Sequence, residues 1–136
     1  MFELSLTYYD EVCVFLLGLV LGSFTTAVAH RVNNGESWIF NAEGSFTRSK
    51  CVSCHQNLTS LDLVPLFSWL FLKGRCKYCH NKIFWLYPVT ELISGVISLI
   101  LYFLLGFNWV LLIVLCVQPF LLAQCVKPLY RSAGKP

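Results

Sequence analysis

Four of the chain's seven cysteines fall in two matched clips. Residues 50–58 read KCVSCHQNL and residues 75–83 read RCKYCHNKI: a basic residue, Cys, two residues, Cys, His, an amide side chain, a variable residue, an aliphatic one. Cys51, Cys54, Cys76 and Cys79 thus form a C-x2-C-x21-C-x2-C array, close to the spacing of four-thiolate zinc sites. A two-residue gap lets both sulfurs of a clip reach one ion, and two clips complete a tetrahedron with Zn–S bonds of about 2.3 Å. Such a centre has no open coordination position, so its expected work is structural and it does not activate water. Metal binding of this kind contributes roughly 10–16 kcal/mol toward folding a short segment that lacks its own core. Lys50, Arg75 and Lys77 stand beside the clips and offset the thiolate charge. His55 and His80 follow the clips at equivalent places; they are expected as turn residues with exposed rings, because His tolerates left-handed backbone better than most.

The elements that must position these sulfurs are apolar. Of 136 residues, 57% are hydrophobic and 12% charged, too few charges for a soluble domain of this size. Three stretches reach the roughly 17–25 residues a membrane-crossing helix needs. The expected fold is therefore an all-α integral membrane protein: an external segment at 1–11, transmembrane helices at 12–29, 88–107 and 109–126, a zinc-ribbon-like loop at 30–87 between the first two, and a basic tail at 127–136. Glu3, Asp10 and Glu11 precede the first stretch where a signal peptide carries basic residues, and no small-residue cleavage site follows it, so it reads as retained. Phe107, Asn108 and Trp109 leave room only for a tight turn between the second and third spans. Pro119 is expected to kink the third, with Gln118 and Gln124 facing protein or a partner. Gly18 and Gly22 form a G-x3-G pair suited to close helix packing. Glu91, near the start of the second span, either snorkels to the interface or faces inward toward Arg31 or a ligand. Cys13, Cys116 and Cys125 have no second ligand at useful spacing and read as small buried hydrophobes.

Seven of the ten Lys and Arg residues, Arg31, Arg48, Lys50, Lys73, Arg75, Lys77 and Lys82, lie between the first two spans. The other three, Lys127, Arg131 and Lys135, follow the third. Positive charge is retained on the cytoplasmic side, which predicts an outside amino terminus with loop and tail inside. Thiols there stay reduced, which favours metal over disulfides. Between the clips, LDLVPLFSWLFLKGR is apolar yet too short to span. It is expected to lie in the interface, with a short helix starting near Leu66 after Pro65, Trp69 at headgroup level, Lys73 and Arg75 reaching water or anionic lipid, and a turn at Gly74. The basic residues are accounted for by topology and no aromatics interleave with them as stacking platforms, so nucleic-acid binding is set aside.

GSFTTAVAHR ending the first span, the paired clips, VPLFSWLFLKGRC, and YPVTELISG opening the second span together resemble the amino-terminal region of bacterial type IV prepilin peptidases. Those are inner-membrane aspartyl enzymes that also N-methylate pilins and type II secretion pseudopilins. The resemblance runs from about Gly18 to Gly95. It implies that the four cysteines are the family's cytoplasmic tetrad and that their loop, with Glu91 and Arg31 nearby, is the region associated with methyl transfer from S-adenosylmethionine. Three positions depart from the family pattern: Thr26 stands for Asn, Asn33 for Pro, and Leu86 for a basic residue. The resemblance also places the first peptidase aspartate near the end of the third span, where this chain has Lys127 and Pro128, and no Asp follows Asp62.

The expected function is thus a non-proteolytic, zinc-stabilised accessory or docking module of a type IV pilus, type II secretion or other membrane complex. Its partners would be membrane lipids and a membrane protein, such as a separately encoded peptidase half or a pilin-like protein. The alternative is a pilin N-methyltransferase using S-adenosylmethionine and acting with a separate peptidase. A further alternative is a fragment of a full peptidase, against which the short basic tail is expected to resemble an end more than a cut within a helix.

Overall fold

The computed structural model describes residues 2–33, 35, 49–51, 53–59, 62 and 64–133. Arg48 and Lys135, counted above for sidedness, lie outside the described residues, as do Leu61 and Leu63 of the apolar connector. Four helices follow in order: α1 (Phe2–Asn33), α2 (Phe67–Phe71), α3 (Leu86–Leu105) and α4 (Trp109–Ala133). Three candidate spans, Tyr9–Asn33, Leu86–Leu105 and Trp109–Leu129, are long and apolar enough to cross a membrane. The chain is therefore a helical membrane protein whose four clip cysteines lie between its first two spans.

Helix α1 extends past the span read from hydropathy at both ends, because no Gly or Pro interrupts it before Gly18 and polar residues continue a helix as well as apolar ones do. Likewise α4 runs on through the basic segment after 126 to Ala133, with Pro119 and Pro128 both inside it. Gly106 at φ 69° ends α3, its N–H donating to the Tyr102 carbonyl at 2.8 Å. Asn108 then opens α4, its side-chain oxygen accepting the Leu111 N–H at 2.9 Å, as an N-cap does. The hairpin between the second and third spans is closed by these two residues.

Helix α1 packs on both partners, antiparallel to α3 and parallel to α4. The contact with α3 is a seam of small residues. A Cβ added to Gly18 would sit 2.6 Å from the Ser98 hydroxyl and 2.8 Å from the Gly95 Cα. One added to Gly22 would sit 2.6 Å from the Glu91 Cα. Backbones this close leave dispersion and small polar side chains as the cohesive forces, which is how helices associate where lipid removes the hydrophobic drive. Against α4 the interface is larger-grained: Val28, Ala29 and Ala123 are buried together, with Tyr87 and Val126 against them, and Phe24 meets Phe120 edge-on at 6.2 Å. At the lower end the Asn33 amide donates to the Lys127 carbonyl at 3.2 Å.

The buried polar groups in the bundle are paired. Gln118 of α4 donates to the Ser94 carbonyl and hydroxyl at 3.0 Å each, and accepts from the Ser98 hydroxyl at 3.1 Å. Thr25 and Thr26 return their hydroxyls to carbonyls one turn back in α1. An amide left unpaired at this depth would cost several kcal/mol, so the Gln118 network fixes how α4 sits on α3.

Candidate metal centre

The two clips fold as one backbone drawn twice. In the first, Cys51 N–H donates to the Gln56 carbonyl at 3.0 Å, His55 N–H to the Cys51 carbonyl at 2.9 Å, and Leu58 N–H to the Ser49 carbonyl at 2.8 Å. In the second, Cys76 donates to Asn81 at 2.9 Å, His80 to Cys76 at 3.0 Å, and Ile83 to Gly74 at 2.7 Å. Lys50 pairs antiparallel with Asn57, and Arg75 with Lys82. The reversal in each is made by a histidine in left-handed backbone, His55 at φ 56° and His80 at φ 57°. Both rings are exposed, and neither histidine belongs to the sulfur cluster.

The folds of the two clips bring Cys51, Cys54, Cys76 and Cys79 together, their sulfurs all within 4.8 Å of one another. Cys51 and Cys79 lie 3.9 Å apart. A tetrahedral zinc with bonds of about 2.3 Å spaces its sulfurs about 3.8 Å apart, whereas a disulfide needs about 2.05 Å; all the cysteines are free thiols. The donor set therefore fits one thiophilic ion such as zinc. Cys76 is buried, at 3% exposure, and the Tyr78 N–H points at its sulfur from 3.4 Å, a contact that favours thiolate over thiol.

Electrostatics agree with a cluster prepared for a cation. The Cys79 backbone N–H, with that of Tyr78 and the nearby thiols, holds the Cys76 thiol down to about 7. At Cys79 the Asn81 N–H favours the thiolate, yet desolvation and the adjacent sulfurs of Cys76, Cys54 and Cys51 outweigh it and push the thiol up to about 11. One sulfur ionises readily and its charge opposes the next, a conflict that a divalent cation removes.

Support for the centre is unequal on its two sides. Helix α2 ends at Phe71 with Leu72 as its C-cap, and Lys73 at φ 51° and Gly74 at φ 68° turn the chain back toward the second clip. A Cβ on Gly74 would meet the Trp69 ring at 2.8 Å, and the Trp69 indole N–H reaches toward the Ile83 carbonyl at 3.5 Å. Trp69 thus backs the second clip. The exposed apolar residues of α2 are Phe67, Leu70 and Phe71. Beyond the first clip, Asp62 accepts from the Thr59 hydroxyl at 2.7 Å and its N–H at 3.0 Å. These bonds, the hydroxyl's first, hold the Asp62 carboxyl below its ordinary range.

Of the other residues singled out from sequence, Gly18 and Gly22 lie in the α1–α3 seam and Gln118 in its buried network. Gln124 is exposed and accepts from Lys127 at 2.7 Å; Cys13, Cys116 and Cys125, expected to be buried, are exposed on the outer faces of the spans. Glu91 is buried at 8% exposure and accepts the Leu66 N–H at 2.7 Å. Its Cα packs at the level of Gly22, whereas half-buried Arg31 lies in the last turn of α1, about 13 Å farther along the axis. Residues not foreseen as contributors are Ser94 and Ser98, whose one-turn spacing places both on the α1-facing side of α3, and Leu66, whose backbone amide leaves no mark in a sequence.

The model for the bacterial peptidase A24 N-terminal domain matches residues 16–105. The prepilin leader peptidase/N-methyltransferase of Aeromonas salmonicida (strain A449) is 32% identical over 115 residues, covering 71% of this chain and 40% of the relative. That of Bacillus subtilis (strain 168) is 38% identical over 82 residues, covering 60% and 31%. That of Myxococcus xanthus (strain DK1622) is 37% identical over 86 residues, covering 63% and 24%. The chain thus spans well under half the length of these curated relatives. No solved structure matches it significantly. Since residues 16–105 run from before the glycines of α1, through both clips, to the end of α3, the chain belongs to the family of bacterial peptidase A24 N-terminal domains.

Proposed function

We propose that this chain works as a non-proteolytic membrane module, in which four cysteines hold one structural zinc and the loop so folded docks a membrane partner. The observation that carries the proposal is the closed tetrad within 4.8 Å: four thiolates saturate a zinc ion and leave no position for water. The charge map supports an outside amino terminus, with the loop and residues 127–136 on the cytoplasmic face of a bacterial inner membrane. An aspartyl peptidase needs two carboxylates sharing a proton. Asp62 and Glu91, on either side of the second clip, are instead engaged separately by Thr59 and the Leu66 amide. The relatives' names point to prepilins as the kind of protein in the pathway. The partner is then a pilin-like protein or a separately encoded peptidase half, in a type IV pilus, type II secretion or other envelope complex.

Purification from native membrane in mild detergent, with elemental analysis, tests both parts. The expected result is one zinc per chain and a stable membrane companion. A metal-free preparation would remove the centre, and a chain that runs alone would remove the docking role. The relatives' names also include N-methyltransferase, which favours a second reading: methyl transfer from S-adenosylmethionine to a processed pilin. Calorimetric titration decides it, because absence of heat at high cofactor concentration excludes it.

A further inference from the structure

We propose that α2 and the turn after it form a site for an anionic phospholipid, with acyl chains against Phe67, Leu70 and Phe71 and the phosphate among Lys73, Arg75 and Lys77. The inference rests on depth and charge, and it goes beyond the accessory role proposed above. Helix α3 has 20 residues, about 30 Å long and matched to the hydrocarbon core. Glu91 is its sixth residue and binds the Leu66 amide at 2.7 Å, so α2 begins about 7.5 Å along the span from its first residue. That is within the 5–10 Å to which interfacial helices bury their apolar faces.

Helix α2 buries none of its own residues. Phe67, Leu70 and Phe71, at i, i+3 and i+4, are 50%, 68% and 81% exposed, and at this depth water is a poor neighbour for them. The chain then turns at Lys73 and Gly74, and the Gly74–Ile83 and Arg75–Lys82 pairings tie it just before α3, in the headgroup layer that adds roughly 5–8 Å on each side of the core. A cavity of about 450 Å³ opens here, lined by Leu72, Lys73, Arg75, Cys76, Lys77 and His80. Leu72 continues the apolar surface of α2 into the cavity, and Lys73, Arg75 and Lys77 are exposed at its rim. Asp62, the acid whose field reaches Lys77, is held by Thr59. A zinc bound by four thiolates carries a net charge of about −2, which Lys50, Arg75, Lys77 and Lys82 more than offset, leaving Lys73 without that duty. A protein partner approaching from water would have to displace lipid to reach Phe71, whereas a phospholipid already meets both surfaces.

The test places photoreactive p-benzoylphenylalanine at position 71 of the full chain, reconstituted in nanodiscs of phosphatidylcholine alone or mixed with phosphatidylglycerol. The expected products are lipid adducts at this position, with phosphatidylglycerol captured several-fold above its share of the bilayer. Lys73→Glu, with zinc content unchanged, should lower that enrichment. The proposal is overturned by adducts to protein, by no adduct, by phosphatidylglycerol captured only in proportion to its share, or by an enrichment indifferent to Lys73→Glu. Zinc content is read separately, so failure here is distinguishable from failure of the metal centre.

Discussion

The first clip, Ser49 to Leu58, and the second, Gly74 to Ile83, make the same backbone hydrogen bonds and end in the same left-handed histidine. Behind that shared backbone they differ. The second stands against Trp69 at Gly74, buries Cys76 and runs directly into α3. The first exposes residues 53–57 to solvent and is backed by a polar turn, Thr59 on Asp62. Local repetition therefore supplies the geometry of the ligands, while position relative to the membrane supplies the rigidity. One half of the centre is built on the bundle, and the other would be closed onto it by a bound metal.

The largest effect should be symmetric. Cys51→Ser and Cys76→Ser each remove one of four thiolates from a site whose metal contributes on the order of 10 kcal/mol to folding. Each should abolish stoichiometric zinc by elemental analysis and expose the loop to protease, leaving the spans intact. If Cys51→Ser kept its zinc, the clips would not be equivalent as ligands. Gly74→Ala should then separate them. Left-handed backbone costs a non-glycine residue about 1–2 kcal/mol, and a methyl 2.8 Å from the Trp69 ring adds overpacking of about 1–3 kcal/mol. Ser49→Ala, at the matching place in the first clip, should change the temperature of zinc release by little. Equal effects at the two positions would mean that Trp69 does not stiffen the second clip.

The same asymmetry marks what the sequence could convey. The cysteine cluster was legible because C-x2-C names its own geometry, and the spans because roughly 20 apolar residues have few other uses. The histidines were readable as turn residues once the repeat was seen. Trp69 was not, since a five-residue helix is too short to reveal which face is covered, and an aromatic in an apolar run satisfies lipid and protein alike. Glu91 had two open fates, and what settles it is the amide of Leu66, which has no residue-type signature. Gln118 was readable as a protein-facing amide, but its partners lie 20 and 24 residues away and nothing local joins them. The helix ends lie beyond the spans for a simpler reason: hydropathy measures the length of the span, and helix propensity lets α1 and α4 run past it.

Anchorage of the second side to α3 predicts the next effect. Glu91→Ala orphans the Leu66 N–H, a loss of about 1–3 kcal/mol for a buried donor, and should raise protease cleavage near residues 64–66. Glu91→Gln keeps an acceptor and should lose less; equal losses would show that packing, not the hydrogen bond, holds α2 in place. Smaller still are the histidines. His55→Val and His80→Val should each cost about 1–2 kcal/mol, because β-branched residues resist left-handed backbone. His→Gly at either place should be near neutral and keep one zinc. Loss of zinc from only one of the two glycine variants would make that histidine a ligand and end the equivalence of the turns.

The smallest effect belongs to the first clip alone. Thr59 holds the Asp62 carboxyl below its ordinary range, so the folded pKa lies under the unfolded one. Its contribution is complete above the ordinary carboxylate range and is lost as pH falls through the lowered value. Thiolates take up protons and release zinc in acid, so titration alone would confuse the two. Asp62→Asn at neutral pH removes the carboxylate while the metal stays bound. Because the turn is open to solvent, the loss should stay under about 1 kcal/mol. It should appear as faster amide exchange at residues 57–59, with residues 82–84 unchanged. Exchange rising equally on both sides would mean that the clips share their support through the metal, and that the second is not independently braced by Trp69.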